Sequence, residues 1–197
     1  TGEKMVWMGI AVIAFILFFI YDWNSISWNN RALQKLFAAG CVLLVSATVG
    51  VLIQQKAQRS WQTWQLVLIL LFFLLCMTLL VYTLFFALPF EETYLQECQK
   101  RKAYTEKMYA LCRHPGVLWL AGVMAAVAWY RWDQQTTAYC VVVTVCNICY
   151  VIYQDWVIFP VTFYDYRDYR KTTPFLIPNW KSIRKCREDF HHKGITK

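Results

Sequence analysis

Charged residues are scarce in this 197-residue chain: Asp, Glu, Lys and Arg make up 16% of it, whereas apolar types make up 58%. An ordinary soluble domain contains about 25% charged residues. The apolar residues also fall into runs close to the roughly 20 residues that cross the hydrocarbon core of a bilayer. The composition therefore excludes an ordinary soluble domain and predicts an all-α, polytopic integral membrane protein.

Metal ligands, disulfide patterns and repeats are also lacking. The eight cysteines lie mostly inside apolar runs, which predicts buried thiols rather than a disulfide framework. The CxxC pair Cys146 and Cys149 has neither a second pair nor a histidine nearby, and His191 and His192 lack further ligands. We therefore expect no metal site. Because the chain has no internal repeat or low-complexity tract, we expect one integral-membrane domain over residues 1–197.

The apolar runs predict about five membrane spans. Their expected bounds are Met5 to Tyr21, Leu33 to Ile53, Gln65 to Leu88, Gly116 to Tyr130 and Thr137 to Pro160. The first run lacks a small-residue cleavage site and ends in an interfacial Tyr-Asp-Trp, so we expect a retained span rather than a signal peptide. The loop from Arg131 to Thr136 is so short that spans four and five should form a helical hairpin.

Basic residues divide unequally between the two sides of this arrangement. With the N-terminus outside, four of the 20 Lys and Arg residues lie on the outer side, which leaves sixteen for the inner side. An excess of Lys and Arg marks the cytoplasmic side. We therefore expect an outer N-terminus and a cytoplasmic C-terminal segment. The net charge of +8 then reflects orientation and contact with membrane lipids, and it requires no nucleic-acid partner.

Acidic residues favour a functional site on the inner face. Ten of the twelve Asp and Glu residues fall there, so the mouth of the apolar bundle carries both signs of charge. A surface that merely anchors the chain to lipid would be almost entirely basic.

The stretch Tyr109 to Trp119 contains Arg113, His114 and Pro115, which we call the RHP segment. Proline suits the first position of a helix, where free backbone N–H groups and the positive end of the helix dipole attract anions. Gly116 would let a ligand approach the backbone. Two interpretations stay open: a basic flank with a helix cap, or a site that binds a carboxylate or phosphate at the membrane edge.

The C-terminal segment from Phe163 to Cys186 is rich in tyrosine and arginine. Pro174 and Pro178 prevent a helix between them and favour an extended chain. Such a segment could lie on the lipid headgroups, or it could fold back over a bound cofactor as a lid.

Two stretches in this order, MYALCRHPGVL and FYDYRDYRKTTPFLIP, resemble the integral-membrane methyltransferases of the isoprenylcysteine carboxyl methyltransferase and phospholipid N-methyltransferase superfamily. The likeness covers roughly residues 85–180, which would form the cofactor-binding core. It implies an S-adenosylmethionine pocket lined by Tyr109, Arg113, His114, Pro115, Gly116 and Val117. It also implies that Tyr166, Tyr169 and residues 174–178 close over the cofactor and that Asp155 contacts its ammonium group.

The chain differs from the family pattern at four positions. Trp156 stands in place of a second acid, and Trp119, Lys107 and Tyr164 stand where the family commonly has glycine. The two tryptophans would reshape the lipid-facing entrance, so the resemblance does not imply prenylcysteine as the substrate.

The implied function is methyl transfer to a lipophilic substrate, either the carboxyl group of a prenylated or other lipid-like acceptor or the amine of a phospholipid headgroup. In-line transfer needs mainly positioning, for which Arg113 is the candidate. An amine would also need a base, for which Glu91 and Glu92 are candidates; the other interpretation of these two acids, which we favour, is a solvated helix end. The alternatives are a non-catalytic member of the fold that binds a lipid or a partner, and a membrane reductase of related architecture.

Overall fold

The computed structural model describes residues 2–54, 59–86 and 101–192, and all regular structure in these ranges is helical. Four helical segments there are long and apolar enough to cross a membrane: Met5–Ile26, Leu33–Gln54, Thr63–Phe86 and Gln134–Thr162. The prediction of an all-α membrane protein is thereby confirmed. The fourth predicted span, Gly116 to Tyr130, corresponds to a shorter helix of 17 residues, Pro115–Arg131, so the count of five stays a prediction.

We number the α-helices in chain order. The long elements are α1 (Gly2–Ile26), α2 (Leu36–Gln54), α3 (Thr63–Val81), α5 (Pro115–Arg131) and α6 (Gln134–Tyr153). The short elements are α4 (Met108–Leu111), α7 (Phe159–Thr162), α8 (Tyr166–Thr172) and the amphipathic α9 (Trp180–His192). A 3₁₀ turn (Leu33–Lys35) precedes α2, and π-helical turns extend α3 (Tyr82–Phe86) and α6 (Gln154–Ile158).

Small residues let the long helices approach each other closely. A Cβ atom on Gly50 of α2 would lie 2.6 Å from the Trp7 ring of α1, and one on Gly122 of α5 would lie 2.5 Å from Cys76 Sγ of α3. Membrane helices pack mainly through such close contacts, because lipid gives no hydrophobic drive for their association. A hydrogen bond of 2.9 Å between Thr48 and Tyr139 joins α2 to α6.

Large apolar side chains cover much of the outer surface of the bundle. On α3, Leu70, Leu71, Leu74 and Leu75 are each about half exposed. An apolar surface of this extent is not tolerated in water by a monomeric soluble protein, whereas in a bilayer it faces lipid.

The polypeptide after α6 folds back toward the start of α5. Pro115 begins α5 at its first turn, as its sequence position predicts. After α8 the chain is extended through Thr173 and Pro174, and the Arg113 N–H donates to the Pro174 carbonyl at 2.9 Å. The C-terminal segment therefore packs against the RHP segment, and its role as a lid over a cofactor stays a prediction.

Candidate active site

A single buried carboxylate, Asp155, joins the RHP segment to the C-terminal segment. Its side chain is 1% exposed. Arg113 donates from Nε to Oδ1 at 2.8 Å and from Nη2 to Oδ2 at 3.1 Å, which is a bidentate ion pair. The Tyr166 hydroxyl donates to Oδ1 at 2.5 Å, and His114 Nε2 lies 3.2 Å from the same oxygen. We call these four residues the Asp155 cluster.

Arg113 also fixes the extended segment after α8. Its Nη1 donates to the carbonyl oxygens of Arg170 at 3.1 Å and Thr173 at 2.8 Å. The Phe175 ring lies 5.5 Å from the guanidinium carbon, within the range of a cation–π contact. One arginine side chain thus ties together α6, α8 and the segment containing Pro174.

His114 is held between aromatic rings. It stacks on Phe159 at a centroid distance of 5.6 Å and meets the edge of Phe175 at 5.3 Å. Burial lowers the pKa of His114 because the charged imidazolium would lose its hydration, and this outweighs the opposing effect of Asp155. The neutral ring therefore places its one N–H on Nε2 when it donates to Asp155.

Tyrosines extend the cluster to α4 and α3. The Tyr169 hydroxyl donates to the Tyr109 carbonyl at 2.6 Å, and the Tyr109 hydroxyl donates to the Thr83 carbonyl at 3.2 Å. Burial raises the pKa of both Tyr166 and Tyr169, so both keep their protons at neutral pH. The structure thus brings together Tyr109, Arg113, His114, Asp155, Tyr166 and Tyr169 from the predicted set.

The other predicted site residues lie elsewhere. Pro115 and Val117 are buried at the start of α5. Gly116 faces α3, where a Cβ atom would make ordinary contacts with Leu84 at 3.7 Å and Leu80 at 3.9 Å, so packing does not require a glycine. Glu91 and Glu92 lie outside the described residues.

Arg170 is a site residue that the sequence interpretation missed. Its Nε lies 3.5 Å from Asp155 Oδ2, and its guanidinium carbon lies 4.1 Å from the centroid of the Trp156 ring. Trp156, which replaces the second acid of the family pattern, therefore makes a cation–π contact with this arginine. The sequence spacing could have identified Arg170, because it follows Tyr166 by four residues and so lies on the same face of α8.

The Asp155 cluster and Arg170 together carry a net positive charge. Two guanidinium groups, Arg113 and Arg170, meet one carboxylate, and the neighbouring His114 is neutral. Arg170 is 27% exposed, whereas Asp155 is almost fully enclosed. An anionic group arriving from solvent would therefore meet Arg170 first. Asp155 is enclosed by its neighbours, so the expected contact with a cofactor ammonium group requires a neighbouring side chain to move.

Two of the differences from the family pattern have structural consequences. Lys107 has φ 53° and ψ −122°, a conformation that favours glycine, and its N–H donates to Asp189 of α9 at 3.0 Å. Trp119 is half-buried, and its indole N–H finds no hydrogen-bond partner within the described ranges. Helical periodicity places Trp119 between Gly116 and Gly122, on the side of α5 that faces α3.

An open apolar groove of about 400 Å³ lies on α3 and its π-helical extension. It is lined by Met77, Thr78, Val81, Tyr82 and Phe86. Thr83, whose carbonyl accepts from Tyr109, belongs to the same π-helical turn. The backbone of that turn connects the groove to the tyrosines around the Asp155 cluster.

Comparison of the chain with models of protein families, with characterised proteins and with solved structures finds no match.

Proposed function

We propose that this protein is an integral-membrane, S-adenosylmethionine-dependent methyltransferase that acts on a lipophilic substrate. The observation that supports this most is the convergence on Asp155 of Arg113 and His114 from the RHP segment and of Tyr166 from α8. These residues are separated by more than 40 positions in sequence, and the superfamily that the chain resembles uses the corresponding segments together.

The charges of the cluster fit one part of the cofactor. S-adenosylmethionine carries a carboxylate, and the exposed edge of Arg170 beside Arg113 is a positive surface suited to it. The bound cofactor would supply an electrophilic methyl group on a sulfonium centre. The residues of the chain would hold the carboxylate, orient the bound partners and exclude water, and such positioning can account for several orders of magnitude in rate.

The groove on α3 fits the apolar part of a substrate. Its lining is almost entirely apolar, and Tyr109 joins its π-helical turn to the cluster. An acyl or prenyl chain in the groove would bring an attached polar group toward the RHP segment. A carboxylate acceptor would need no base, whereas an amine acceptor would have to lose a proton.

The distribution of basic residues supports the orientation. We infer that α5 is a fifth span, that the N-terminus is outside, and that the Asp155 cluster and C-terminus lie on the cytoplasmic side. A reporter enzyme fused after Gln54 should then give an external signal, and one fused after His192 should give a cytoplasmic signal. An external signal from the second fusion would refute this orientation.

A non-catalytic member of the same fold is the second candidate. The observation that favours it is the near-complete enclosure of Asp155, whose oxygens are already engaged by Arg113 and Tyr166. In that case the cluster would stabilise the fold and the groove would hold a lipid. The two candidates differ in whether the purified protein binds the cofactor.

Equilibrium binding of radiolabelled S-adenosylmethionine to detergent-purified protein tests the proposal. We expect saturable binding that is competed by S-adenosylhomocysteine and weakened at least about tenfold by Arg170→Met, which removes a charge-assisted contact. Arg184→Met is the matched control, because Arg184 is exposed and, within the described residues, forms an ion pair only with Glu188 of the same helix. Absence of binding by the parent protein would refute methyl transfer, and protection by NADPH instead would favour the reductase.

A further inference from the structure

Buried polar atoms without partners are concentrated at the turn between α5 and α6, at the opposite end of α5 from the Asp155 cluster. Arg131 is 6% exposed, and neither its Nε nor its Nη2 has a hydrogen-bond partner in the described part of the chain. The same holds for Asp133 Oδ2 and Thr136 Oγ1, whose residues are also buried. Burying a guanidinium or a carboxylate atom without a partner is unfavourable, which indicates a missing ligand.

The local backbone holds these groups in fixed positions. Trp132 adopts a left-handed conformation with φ 51° and ends α5, and Asp133 caps α6. The capping oxygen, Asp133 Oδ1, accepts from the backbone N–H groups of Gln135 at 3.1 Å and Thr136 at 2.9 Å. The cap therefore fixes the carboxylate, while its buried Oδ2 has no hydrogen-bond partner in the described part of the chain. Only two residues, Trp132 and Asp133, separate the helices, so Arg131 at the end of α5 lies two positions from Asp133.

The free atoms define the chemistry of the ligand. The Nε and Nη2 atoms of an arginine form a two-pronged edge that suits two oxygens of a phosphate or carboxylate. An ionised Asp133 can only accept, so its partner must carry an N–H or O–H group. The complementary ligand therefore places an oxyanion next to a hydrogen-bond donor, as in a phosphate linked to a primary ammonium group.

The surroundings favour a lipid as the source of this group. Trp64, Trp129, Tyr130 and Trp132 are each more than 40% exposed at this end of the bundle. Aromatic residues of this kind lie at the level of the headgroups in membranes. Arg59 stacks on Trp61 at 4.6 Å and on Trp132 at 5.2 Å, which adds positive charge beside the turn.

We propose that Arg131, Asp133 and Thr136 form a binding site for the headgroup of an ethanolamine phospholipid. The phosphate accepts from Arg131, and the ammonium group donates to Asp133. The 17 residues of α5 separate this site from the Asp155 cluster by about 25 Å at 1.5 Å per residue. The site is therefore distinct from the proposed methyl-transfer site and does not depend on that proposal.

Native mass spectrometry of delipidated, detergent-purified protein tests this site. The probes are phosphatidylethanolamine, phosphatidylcholine with the same acyl chains, and soluble glycerophosphoethanolamine. We expect phosphatidylethanolamine to bind at least about tenfold more tightly than phosphatidylcholine, because the choline group has no N–H to donate to a buried carboxylate. No cofactor is present, so a failure here leaves the methyltransferase proposal untouched.

Two variants and a control connect the binding to the residues. Arg131→Gln should weaken phosphatidylethanolamine binding at least about tenfold. Asp133→Asn keeps the helix cap, since Asn caps as well as Asp, and should abolish the preference over phosphatidylcholine. Arg184→Gln removes an exposed charge on α9, away from this turn, and should leave that preference unchanged.

Equal affinity of the parent protein for the two lipids would overturn the proposal, as would a preference that survives Asp133→Asn. Because Asp133→Asn preserves the cap, its result decides the question even if Arg131→Gln fails to fold. Binding of glycerophosphoethanolamine with the affinity of the intact phospholipid would overturn the assignment to a membrane lipid and identify a soluble headgroup as the ligand.

Discussion

Replacing Asp155 by asparagine should destabilise the protein strongly while changing few atoms. The substitution removes the negative charge that faces Arg113 and replaces one accepting oxygen by an NH₂ group. Arg113 is 9% exposed, so its guanidinium cannot recover the lost interaction from water. The Tyr166 hydroxyl and His114 Nε2 would compete for the remaining oxygen.

The expected loss follows from the kind of ion pair that is broken. Removing one partner of a buried ion pair costs about 3–5 kcal/mol, because the other charge stays buried and unpaired. Arg113 keeps its two hydrogen bonds to the carbonyl oxygens of Arg170 and Thr173, which favours the lower end of that range. At about 2–4 °C per kcal/mol for a chain of this size, a loss of about 3 kcal/mol lowers the unfolding midpoint by about 6–12 °C.

A thiol-reactive fluorophore can report this unfolding in detergent. Cys76, Cys112 and Cys140 are free and buried in the folded protein, and they become reactive when the bundle opens. Burial raises the pKa of Cys112 to about 12, which further suppresses its reaction in the native state. The matched control is Asp168→Asn on α8, where an exposed carboxylate pairs only with Lys171 and its loss should not move the midpoint.

A midpoint for Asp155→Asn equal to that of Asp168→Asn would refute the reasoning, because it would show that Asp155 is not the charge that holds the C-terminal segment to the RHP segment. A double variant in which Arg113→Met accompanies Asp155→Leu adds a second check. This double variant should be less destabilised than Asp155→Asn, since it leaves no unpaired Arg113 charge in the interior.

Two further predictions concern single residues near the same site. Lys107→Gly should stabilise the protein by about 1 kcal/mol. The substitution relieves about 1–3 kcal/mol of backbone strain at φ 53°, and the greater entropy of the unfolded chain offsets about 0.5–1 kcal/mol of that gain. An unchanged or lower unfolding midpoint would show that Lys107 is not strained. Because burial lowers the pKa of His114 from 6.5, the unfolded state takes up a proton that the folded state does not, so stability should fall as the pH drops below about 6.5. The difference in midpoint between pH 8 and pH 5.5 should therefore be smaller in His114→Gln, and an identical difference would show that His114 does not contribute.

The membrane architecture could be predicted from the sequence, because the length and apolarity of a run decide whether it can cross a bilayer. Four of the expected spans correspond to apolar helices of sufficient length. Their ends were less predictable: the first helix continues to Ile26 rather than ending at Tyr21, and α6 continues through a π-helical turn toward Thr162. Local hydropathy does not encode where a helix stops when polar residues at its end find partners in neighbouring segments.

The sequence named some of the residues that meet around Asp155, but not their connections. The residues around the RHP segment and in α8 were chosen from their chemical type and order, and six of them meet in the structure. Their pairing was not foreseen: Asp155 was expected to face a cofactor ammonium group, and it accepts from Arg113 and Tyr166. Which partner a buried carboxylate finds depends on distances across helices, and sequence spacing within one helix carries no such information.

By itself, the sequence determined that this chain is a bundle of membrane helices and that Pro115 begins one of them, because these features depend on composition and on the backbone chemistry of single residues. Only the tertiary structure decided that the C-terminal segment folds back onto Arg113, that Arg170 rests on Trp156, and that Arg131 and Asp133 are buried with free polar atoms. These features arise where separate helices and turns meet. Whether a side chain is buried and hydrogen-bonded depends on contacts between segments, so no single segment determines it.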